Sequence, residues 1–346
     1  MSLSGATASG SVSGRGGRAT KSIMLGGLIA LLVVFCMLSV SIGSRDVSLD
    51  EIIHGVLGRT DSFGEAAVAM RVPRTLLALI AGAALGLAGA VMQGVTRNPL
   101  ADPGILGVNT GASLAVVVGV FWFNIYSVEA YVWAAIAGAG CTAAMVYTIG
   151  SMGRGGATPL KLALAGAATS IALSSLVIAI VLPRNDIAGG IRSWQIGGVG
   201  GASFDRILPI LPFILFGLLI SFASAKKLNS LALGDELAAG LGERVMLARL
   251  TAAIGAILLC GAATAACGPI GFVGLIVPHL CRLLVGVDHR WLLPLSSLAG
   301  AALLLIADIA GRIIAKPAEL QVGVVTAFIG APFFIWIVRH QRIREL

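Results

Sequence analysis

The sequence predicts an all-α polytopic membrane protein with about ten transmembrane helices, and three observations support this prediction. Apolar residues make up 57% of the 346-residue chain and charged residues only 12%, whereas soluble domains hold about 45–50% and about 25%. The mean hydropathy is +0.97. Long uncharged runs recur along the chain, separated by short polar segments that carry the charges. Such runs are typical of helices that cross a bilayer one after another.

The chain opens with a Gly- and Ser-rich segment, residues 1–20, which we expect to be a disordered cytoplasmic tail. The uncharged run that follows, residues 23–43, is longer than the roughly 7–15 apolar residues of a secretory signal. More apolar runs come after it, so this run is interpreted as a retained first helix. We treat residues 21–346 as one transmembrane domain.

The second crossing has two clearly marked ends. Arg71 and Arg74 stand at its start, and 22 uncharged residues, 75–96, follow them. As a helix these would extend about 33 Å, enough for a hydrocarbon core of about 30 Å. A polar turn with two prolines, residues 97–103, closes the run. We therefore expect paired cations at one membrane face and a constrained turn at the other.

Further runs with few or no charges account for the rest of the crossings: residues 103–128, 130–153, 162–183, 207–225, 250–281, 291–307 and 322–338. Most have the length of one crossing. A shorter segment, SWQIGGVGGASF at residues 193–204, is too short and too glycine-rich to span a membrane. We predict a broken or re-entrant piece there, because irregular backbone at membrane depth must lie against protein or water.

The run of residues 250–281 is too long for one crossing and too short for two complete ones. Gly268 and Pro269 lie near its middle, and a proline there favours a break in the helix. Two crossings here give ten in all and place 15 of the 24 Lys and Arg residues on the cytoplasmic side, whereas nine crossings would divide them equally. The positive-inside rule therefore favours ten crossings, with both termini in the cytoplasm.

Several long motifs follow one another along the chain: RVPRTLLALIAGAALGLAGAVMQGVTRNPLADPGILG, LALGDELAAGLG, GPIGFVGLIVPHLCRLLVGVDHRWLLP, ADIAGR and ELQVGVVTAFIGAPFFIWIV. Together they closely resemble the FecCD-type permeases, the iron-siderophore and cobalamin permease family of ABC importers. The resemblance covers nearly everything from residue 71 to residue 338. The N-terminal tail and the first external loop fall outside it.

The resemblance implies a set of partners and a cargo. In that family two ten-helix permease subunits, identical or similar, surround a central pathway in the bacterial cytoplasmic membrane. Two separate ATP-binding subunits hydrolyse ATP with Mg, and an extracytoplasmic binding protein delivers a metal chelate. A ferric siderophore is the leading expectation for the cargo, with haem and cobalamin as alternatives. This chain has no GxxxxGK[ST] phosphate loop, so we expect a transport subunit that binds no cofactor and is not itself an enzyme.

Three arginines match the residues with which this family docks the binding protein at the outer membrane face. They are Arg71, Arg74 and Arg312. Guanidinium groups suit contact with carboxylates and give reversible docking. From spacing alone, Arg312 is instead interpreted as the i, i+4 partner of Asp308. The resemblance favours docking, and the two roles are compatible.

The family's cytoplasmic gate corresponds to the turn that closes the second crossing. Asn98 and Leu100 match the residues that narrow the pathway there, and Thr158 lies where a second constriction is expected. A polar and an apolar side chain on a turn fixed by proline can close a pore and still move as a unit. The alternative is an ordinary tight turn between two helices.

The long polar segment of residues 226–249 matches the part of the family that fits a groove on the ATPase. Leucines recur in it at near-helical spacing with glycines between them, which predicts short amphipathic helices on the membrane surface. The alternative is a solvated surface helix. The residues that we assign to ATPase coupling are Leu233, Gly234, Asp235, Glu236, Ala239, Gly240 and Gly242.

No arrangement of residues in the sequence indicates catalysis or metal binding. There is no Ser/His/Asp set, no HExxH and no paired carboxylates. His279 has no carboxylate or cysteine at ligand spacing, so we interpret it as a packed or rim histidine. The five cysteines lack CxxC spacing and are expected to be small hydrophobes. The basic residues form no stripe, which disfavours nucleic acid as a partner.

Two other classes of membrane protein compete with the importer subunit. An ion-coupled secondary transporter would normally carry ionisable groups near the bilayer midplane, where the central runs of this chain are almost free of charge. An intramembrane enzyme would need a catalytic constellation, and the sequence offers none. We therefore expect a transport subunit driven by a separate ATPase.

Overall fold

The computed structural model describes residues 16–43, 46–104, 106–152, 158–183 and 185–340, and within them the backbone is helical with no strand. The α-helices in chain order are α1 (Gly16–Ser41), α2 (Leu49–Val56), α3 (Phe63–Thr96), α4 (Val108–Phe123), α5 (Val128–Ser151), α6 (Pro159–Val181), α7 (Asn185–Ile196), α8 (Phe204–Ile207), α9 (Leu211–Ala223), α10 (Ala225–Leu231), α11 (Asp235–Gly240), α12 (Val245–Cys267), α13 (Val273–Val285), α14 (His289–Ile314) and α15 (Val322–His340). A single 3-10 turn, Leu208–Ile210, joins α8 to α9.

The number of apolar helices agrees with the sequence. In the described part of the chain, seven helical stretches are long and apolar enough to cross a membrane: α1, α3, α5, α6, α8 with α9, α12 and α14. Three shorter apolar helices, α4, α13 and α15, accompany them. The prediction of an all-α polytopic protein with about ten membrane helices is therefore confirmed.

Two predicted boundaries near the N-terminus were wrong. Helix α1 begins at Gly16, so residues 16–20 are helical rather than part of a disordered tail, and residues 1–15 lie outside the described ranges. Once the apolar run has formed a helix, adding a turn requires no new nucleation. Helix α3 begins at Phe63, so Arg71 and Arg74 lie inside the helix instead of preceding it.

A capping box explains the early start of α3. The Ser62 hydroxyl accepts a hydrogen bond from the Glu65 amide at 3.1 Å, and the Glu65 carboxylate accepts one from the Ser62 amide at 3.2 Å. These two bonds satisfy amides that would have no partner at a helix N-terminus. The spacing of Ser62 and Glu65 is itself a sequence signal for a capping box, although the charged residues around it suggest a loop.

Helix α3 is the most deeply buried of the long helices, and α14 runs alongside it in close contact. Glycines set this contact. A Cβ on Gly82 would lie 2.4 Å from the Gly300 carbonyl oxygen, and one on Gly86 would lie 2.3 Å from that of Ser296. Further along, a Cβ on Gly89 would lie 2.1 Å from the carbonyl oxygen of Gly274 in α13. Small residues thus allow backbone-to-backbone packing, which supplies helix association in lipid.

The breaks that proline and glycine predicted are present. Helix α12 ends at Cys267 and α13 begins at Val273, with Gly268 between them at a φ of 71°. Helix α7 ends at Ile196, and the glycine loop of residues 197–203 follows it. The Gly198 amide donates to the Cys267 carbonyl at 2.7 Å, so one backbone hydrogen bond joins the two breaks. A broken segment is confirmed here, whereas its depth in a membrane stays a prediction.

The bundle has two ends that carry different chemistry. We call the end with Arg71, Arg74 and Arg312 the arginine end. We call the opposite end, with the turn of residues 97–103 and the segment of residues 224–245, the loop end. Helix α3 connects the two ends directly, because Arg71 lies in its early turns and Thr96 is its last residue.

Replacing Gly86 with alanine is expected to destabilise the protein by about 1–3 kcal/mol, because the new methyl group would meet the Ser296 carbonyl and force the helices apart. Gly26 in α1 is the matched control, since a Cβ there meets nothing within 4 Å. Gly26→Ala should be neutral or stabilising by up to about 1 kcal/mol. Reversible unfolding by SDS in mixed micelles measures both, and equal stability of the two variants would contradict the packing argument.

Candidate functional site

A buried carboxylate organises the arginine end. Asp308 in α14 has no exposed surface, and Arg74 of α3 donates to it from Nε at 3.0 Å and from Nη2 at 2.8 Å. Arg312, one helical turn after Asp308, donates to the same carboxylate through Nη2. One aspartate therefore holds two guanidinium groups and ties α3 to α14, the pattern expected for a charge that is kept in an apolar bundle.

The C-terminal carbonyl groups of α1 complete this cluster. Arg312 donates from Nη1 to the Ser39 carbonyl at 2.7 Å and to the Ile42 carbonyl at 2.9 Å. Arg71 donates from Nη1 to the carbonyls of Val40 and Ser41, at 3.1 Å and 2.9 Å. The last carbonyls of a helix have no partner within it and carry partial negative charge, so they suit cations. The two arginines fasten α1 to the bundle.

Glu319 is a part of this cluster that sequence reasoning missed. It lies in the segment of residues 315–321 between α14 and α15, and its Oε2 accepts from Arg74 Nη1 at 2.5 Å. Its side chain keeps 36% exposure, against 13% for Arg74. Because 245 residues separate the two partners, no local pattern could have signalled the pair.

The three predicted docking arginines therefore lie at one end of the bundle, in unequal surroundings. Arg312 is 1% exposed and pairs with Asp308, which was the alternative that its spacing offered. Arg71 is 7% exposed and is engaged with α1. Arg74 is the most accessible of the three, at the edge that carries Glu319. Docking stays a prediction for all three, and a structural role is established beside it.

At the loop end, the turn after α3 is fixed by its own side chains. Arg97 ends α3 in the left-handed conformation at a φ of 51°. Asn98 Oδ1 accepts from the Leu100 amide at 3.0 Å, which is an Asx turn. Asp102 is 6% exposed, and its Oδ2 accepts from the Gly104 amide at 2.8 Å. The predicted gate residues Asn98 and Leu100 are thus held in one rigid turn, and both are half-buried.

Thr158 has a local role in the structure. It is the N-cap of α6, and its hydroxyl accepts from the Lys161 amide at 3.3 Å, with Pro159 as the first helical residue. Among the hydrogen bonds of the described residues, none joins Thr158 to the turn of Asn98 and Leu100. A gate function for Thr158 stays a prediction.

The predicted coupling segment forms two short helices separated by glycine hinges, as its pattern indicated. Helix α10 is followed by Gly234 at a φ of 106°, and α11 is followed by Gly242 at a φ of 84°. Leu233, Leu237 and Leu241 are 56%, 62% and 68% exposed. Three large apolar side chains therefore protrude from the loop end, which is typical of a surface that contacts another protein or the membrane.

An ion pair connects this segment to the turn after α3. Asp235, the first residue of α11, lies 3.4 Å from Arg97 Nη2 and 2.8 Å from Arg249 Nη2. Arg97 directly precedes Asn98 in the chain. The predicted coupling helix and the predicted gate turn are therefore in contact, which the sequence did not indicate.

A second polar network anchors α10 to the start of α14. Asn229 donates from Nδ2 to Asp288 Oδ1 at 2.7 Å and accepts from the His289 amide at 2.9 Å. Burial raises the pKa of Asp288, but the bonds from Asn229 and the Arg290 amide outweigh it, so this pKa lies below its ordinary value. Asp288 stays ionised near neutral pH and caps α14. The Asp before a helical run was the readable signal for this cap.

The glycine loop borders a cavity of about 490 Å³. The cavity lies between α4, α5, α7 and the end of α12, and Trp194, Arg206 and Gln321 are in its wall. Trp194 donates from Nε1 to the Ala265 carbonyl at 3.2 Å. The Gly323 amide donates to the Gly197 carbonyl at 2.9 Å, which fastens the start of α15 to the same loop.

The structure offers little for metal binding in the part of the chain that it describes. No group of three or more His, Cys, Asp and Glu side chains lies close enough to hold a metal ion there. His279 meets Phe333 edge-on, with ring centroids 5.9 Å apart. The cysteines are free thiols, and Cys260, Cys267 and Cys281 are buried.

Comparison with known proteins gives one consistent result. The model of the FecCD transport family matches residues 31–340. The ferric enterobactin transport system permease protein FepD of Escherichia coli is 45% identical over 93% of this chain and 96% of its own. The iron(3+)-hydroxamate import system permease protein FhuB of Bacillus subtilis is 41% identical over 91% of this chain and 83% of its own.

A solved structure agrees with these sequences. It is described as the inward-facing conformation of an ABC transporter assigned to the metal-chelate type. Its chain is 30% identical and superimposes with a TM-score of 0.77, covering 92% of this chain and 99% of that one. The helix arrangement described above is therefore shared over nearly its full length.

Replacing Asp308 with asparagine is expected to destabilise the protein by about 3–5 kcal/mol, because the buried Arg312 and the partly buried Arg74 would lose their shared counter-charge. Glu319→Gln removes the same charge from a more exposed partner of Arg74 and should change stability by at most about 1 kcal/mol. Unfolding by SDS in mixed micelles compares them. Similar stabilities for the two variants would show that Asp308 does not organise this end.

Proposed function

Because the chain belongs to the FecCD transport family, we propose that it is the membrane-spanning permease subunit of an ABC importer that carries a ferric siderophore across the bacterial cytoplasmic membrane. The observation that carries this proposal is the 45% identity over nearly the whole length to a permease named for a ferric chelate. A second relative named for a ferric chelate, at 41% identity, supports the same class of cargo.

The proposed complex contains two permease subunits, two ATP-binding subunits and one extracytoplasmic binding protein. The second permease is a copy of this chain or a near relative. ATP and Mg belong to the ATP-binding subunits, since this chain has no phosphate loop. Both termini face the cytoplasm, which puts the arginine end outside and the loop end inside, consistent with the distribution of basic residues.

Each end then has one task. Arg71, Arg74 and Arg312 present positive charge to acidic groups of the binding protein, and Arg74 is the most accessible of them. Asn98 and Leu100, with Thr158, narrow the cytoplasmic mouth of the pathway. This assignment is supported by the rigid Asx turn that holds the first two.

The segment of residues 233–242 meets the ATPase. The exposed Leu233, Leu237 and Leu241 supply apolar contact there. Asp235 forms an ion pair with Arg97, which directly precedes the gate turn. Movement of the ATPase would in this way reach the turn of Asn98 by a direct contact.

Reconstitution tests the proposed function. Proteoliposomes that contain the permease with its ATP-binding subunit and binding protein are expected to take up a ferric siderophore labelled with radioactive iron when ATP is inside. Replacing the phosphate-loop lysine of the ATP-binding subunit should abolish uptake. Haem and cobalamin, offered in place of the ferric siderophore, establish the cargo. Uptake that continues without ATP, or that follows an ion gradient, would contradict the proposal.

Replacing Gly240 with tryptophan is expected to reduce coupled uptake about tenfold or more, because a bulky group on a packed interface costs about 1–3 kcal/mol. A Cβ on Gly240 meets nothing within 4 Å, so this chain should fold normally. Gly189→Trp in α7 is the matched control with the same open surroundings, and it should leave coupling unchanged. The measurement is ATP hydrolysed per iron transported. A normal ratio in Gly240→Trp would remove the coupling assignment.

A further inference from the structure

Glu319 and Asp308 bind different parts of the Arg74 guanidinium group, and Glu319 occupies the nitrogen that Asp308 does not contact. Asp308 spans Nε and Nη2, which form one side of the planar guanidinium group. Nη1 is directed to Glu319. A carboxylate that approaches Arg74 from outside the bundle therefore meets Glu319 already in place.

We propose that Glu319 is an internal competitor for docking: in the free permease it occupies the place on Arg74 that a carboxylate of the binding protein takes in the complex. This inference rests on the proposed docking function of the arginine end. The partner surface that it fits is an acidic one, with at least one carboxylate able to reach Nη1.

The charge of the cluster favours such an exchange. Arg71, Arg74 and Arg312 carry three positive charges, and Asp308 and Glu319 carry two negative ones. These five residues therefore have a net charge of plus one, which an incoming carboxylate would balance. The two pairs of Arg74 differ in their surroundings, because Asp308 has no exposed surface whereas Glu319 is 36% exposed. Exchange would thus involve Glu319 and leave Asp308 bound.

Release of Glu319 would affect the glycine loop, because a residue that contacts this loop lies only two positions further along the chain. Gln321 lies against Gly198, where an added Cβ would be 1.8 Å from Gln321 Oε1. The next contact is the bond from the Gly323 amide to the Gly197 carbonyl. The segment of residues 315–321 thus joins Arg74 to a wall of the cavity beside α7. Docking would in this way free the segment that borders that cavity.

Binding affinity tests the competition. The permease with its ATP-binding subunits is placed in nanodiscs, and the binding protein encoded alongside it is titrated in. Glu319→Gln should bind about two- to fivefold more tightly than the native chain, the factor expected for removing an exposed ion pair that competes. Asp50→Asn is the matched control, because Asp50 is an exposed acid of α2, which packs against α3 at the same end, and among the described residues it has no ion pair with Arg74 or with residues 315–321.

Equal or weaker binding by Glu319→Gln would overturn the proposal. So would an equal gain from Asp50→Asn, since that result would mean that any lost negative charge at this end improves docking.

Hydrogen exchange gives a second readout. Amides of residues 315–321 should exchange faster when the binding protein is docked, and in free Glu319→Gln they should already exchange at the faster rate. Unchanged or slower exchange on docking would contradict release of the segment.

Arg74→Lys separates this inference from the docking function itself. It keeps the charge beside Asp308 but loses the fork that binds two carboxylates, so docking should weaken severalfold. Native affinity in Arg74→Lys would remove Arg74 from docking, and the competition with it. Weakened docking in Arg74→Lys together with unchanged affinity in Glu319→Gln would leave docking standing and refute the competition alone.

Discussion

The buried carboxylate of Asp308 is the constraint on which the arginine end depends. An unpaired charge in an apolar bundle is strongly destabilising, so the two arginines that reach Asp308 must stay close to it. Arg312 also binds the last carbonyls of α1, and Arg74 comes from α3. Asp308 therefore ties α3 to α14 directly, and Arg312 extends the connection to α1. The arginines at this end therefore have a structural role, and docking a partner would be a second role.

Close helix packing extends this constraint along the bundle. Gly82 and Gly86 let α3 touch the backbone of α14, and Gly89 lets it touch α13. Near the loop end, Gln93 continues the connection, because it donates to the Gly274 carbonyl at 3.1 Å and accepts from Arg282 at 2.7 Å. Helix α3 is thus held to its neighbours by backbone contact, hydrogen bonds and ion pairs from one end to the other. These contacts leave α3 little room to bend without losing partners.

Local patterns predicted local features of this molecule well and distant contacts poorly. The break at Gly268 follows from the restrictions of glycine and proline, and the pairing of Arg312 with Asp308 follows from helical spacing. The contacts of Arg74 with Glu319 and of Arg97 with Asp235 depend on how whole helices assemble. Nothing within a short window encodes such pairs. The residues around a candidate site were therefore predictable, whereas the connections between sites were not.

A rigid α3 limits where a path through the bundle can open. Bending α3 would break the glycine contacts and would separate Arg74 from Asp308 and Gln93 from Arg282, so we expect α3 to move as one piece. Other elements are less buried within this chain: α6 is far less buried than α3, and the glycine loop lies next to a cavity of about 490 Å³. Residues 315–321 connect the arginine end to that loop, and Arg97 connects the coupling segment to the turn of Asn98. The two ends thus contact different elements beside a common, closely packed helix.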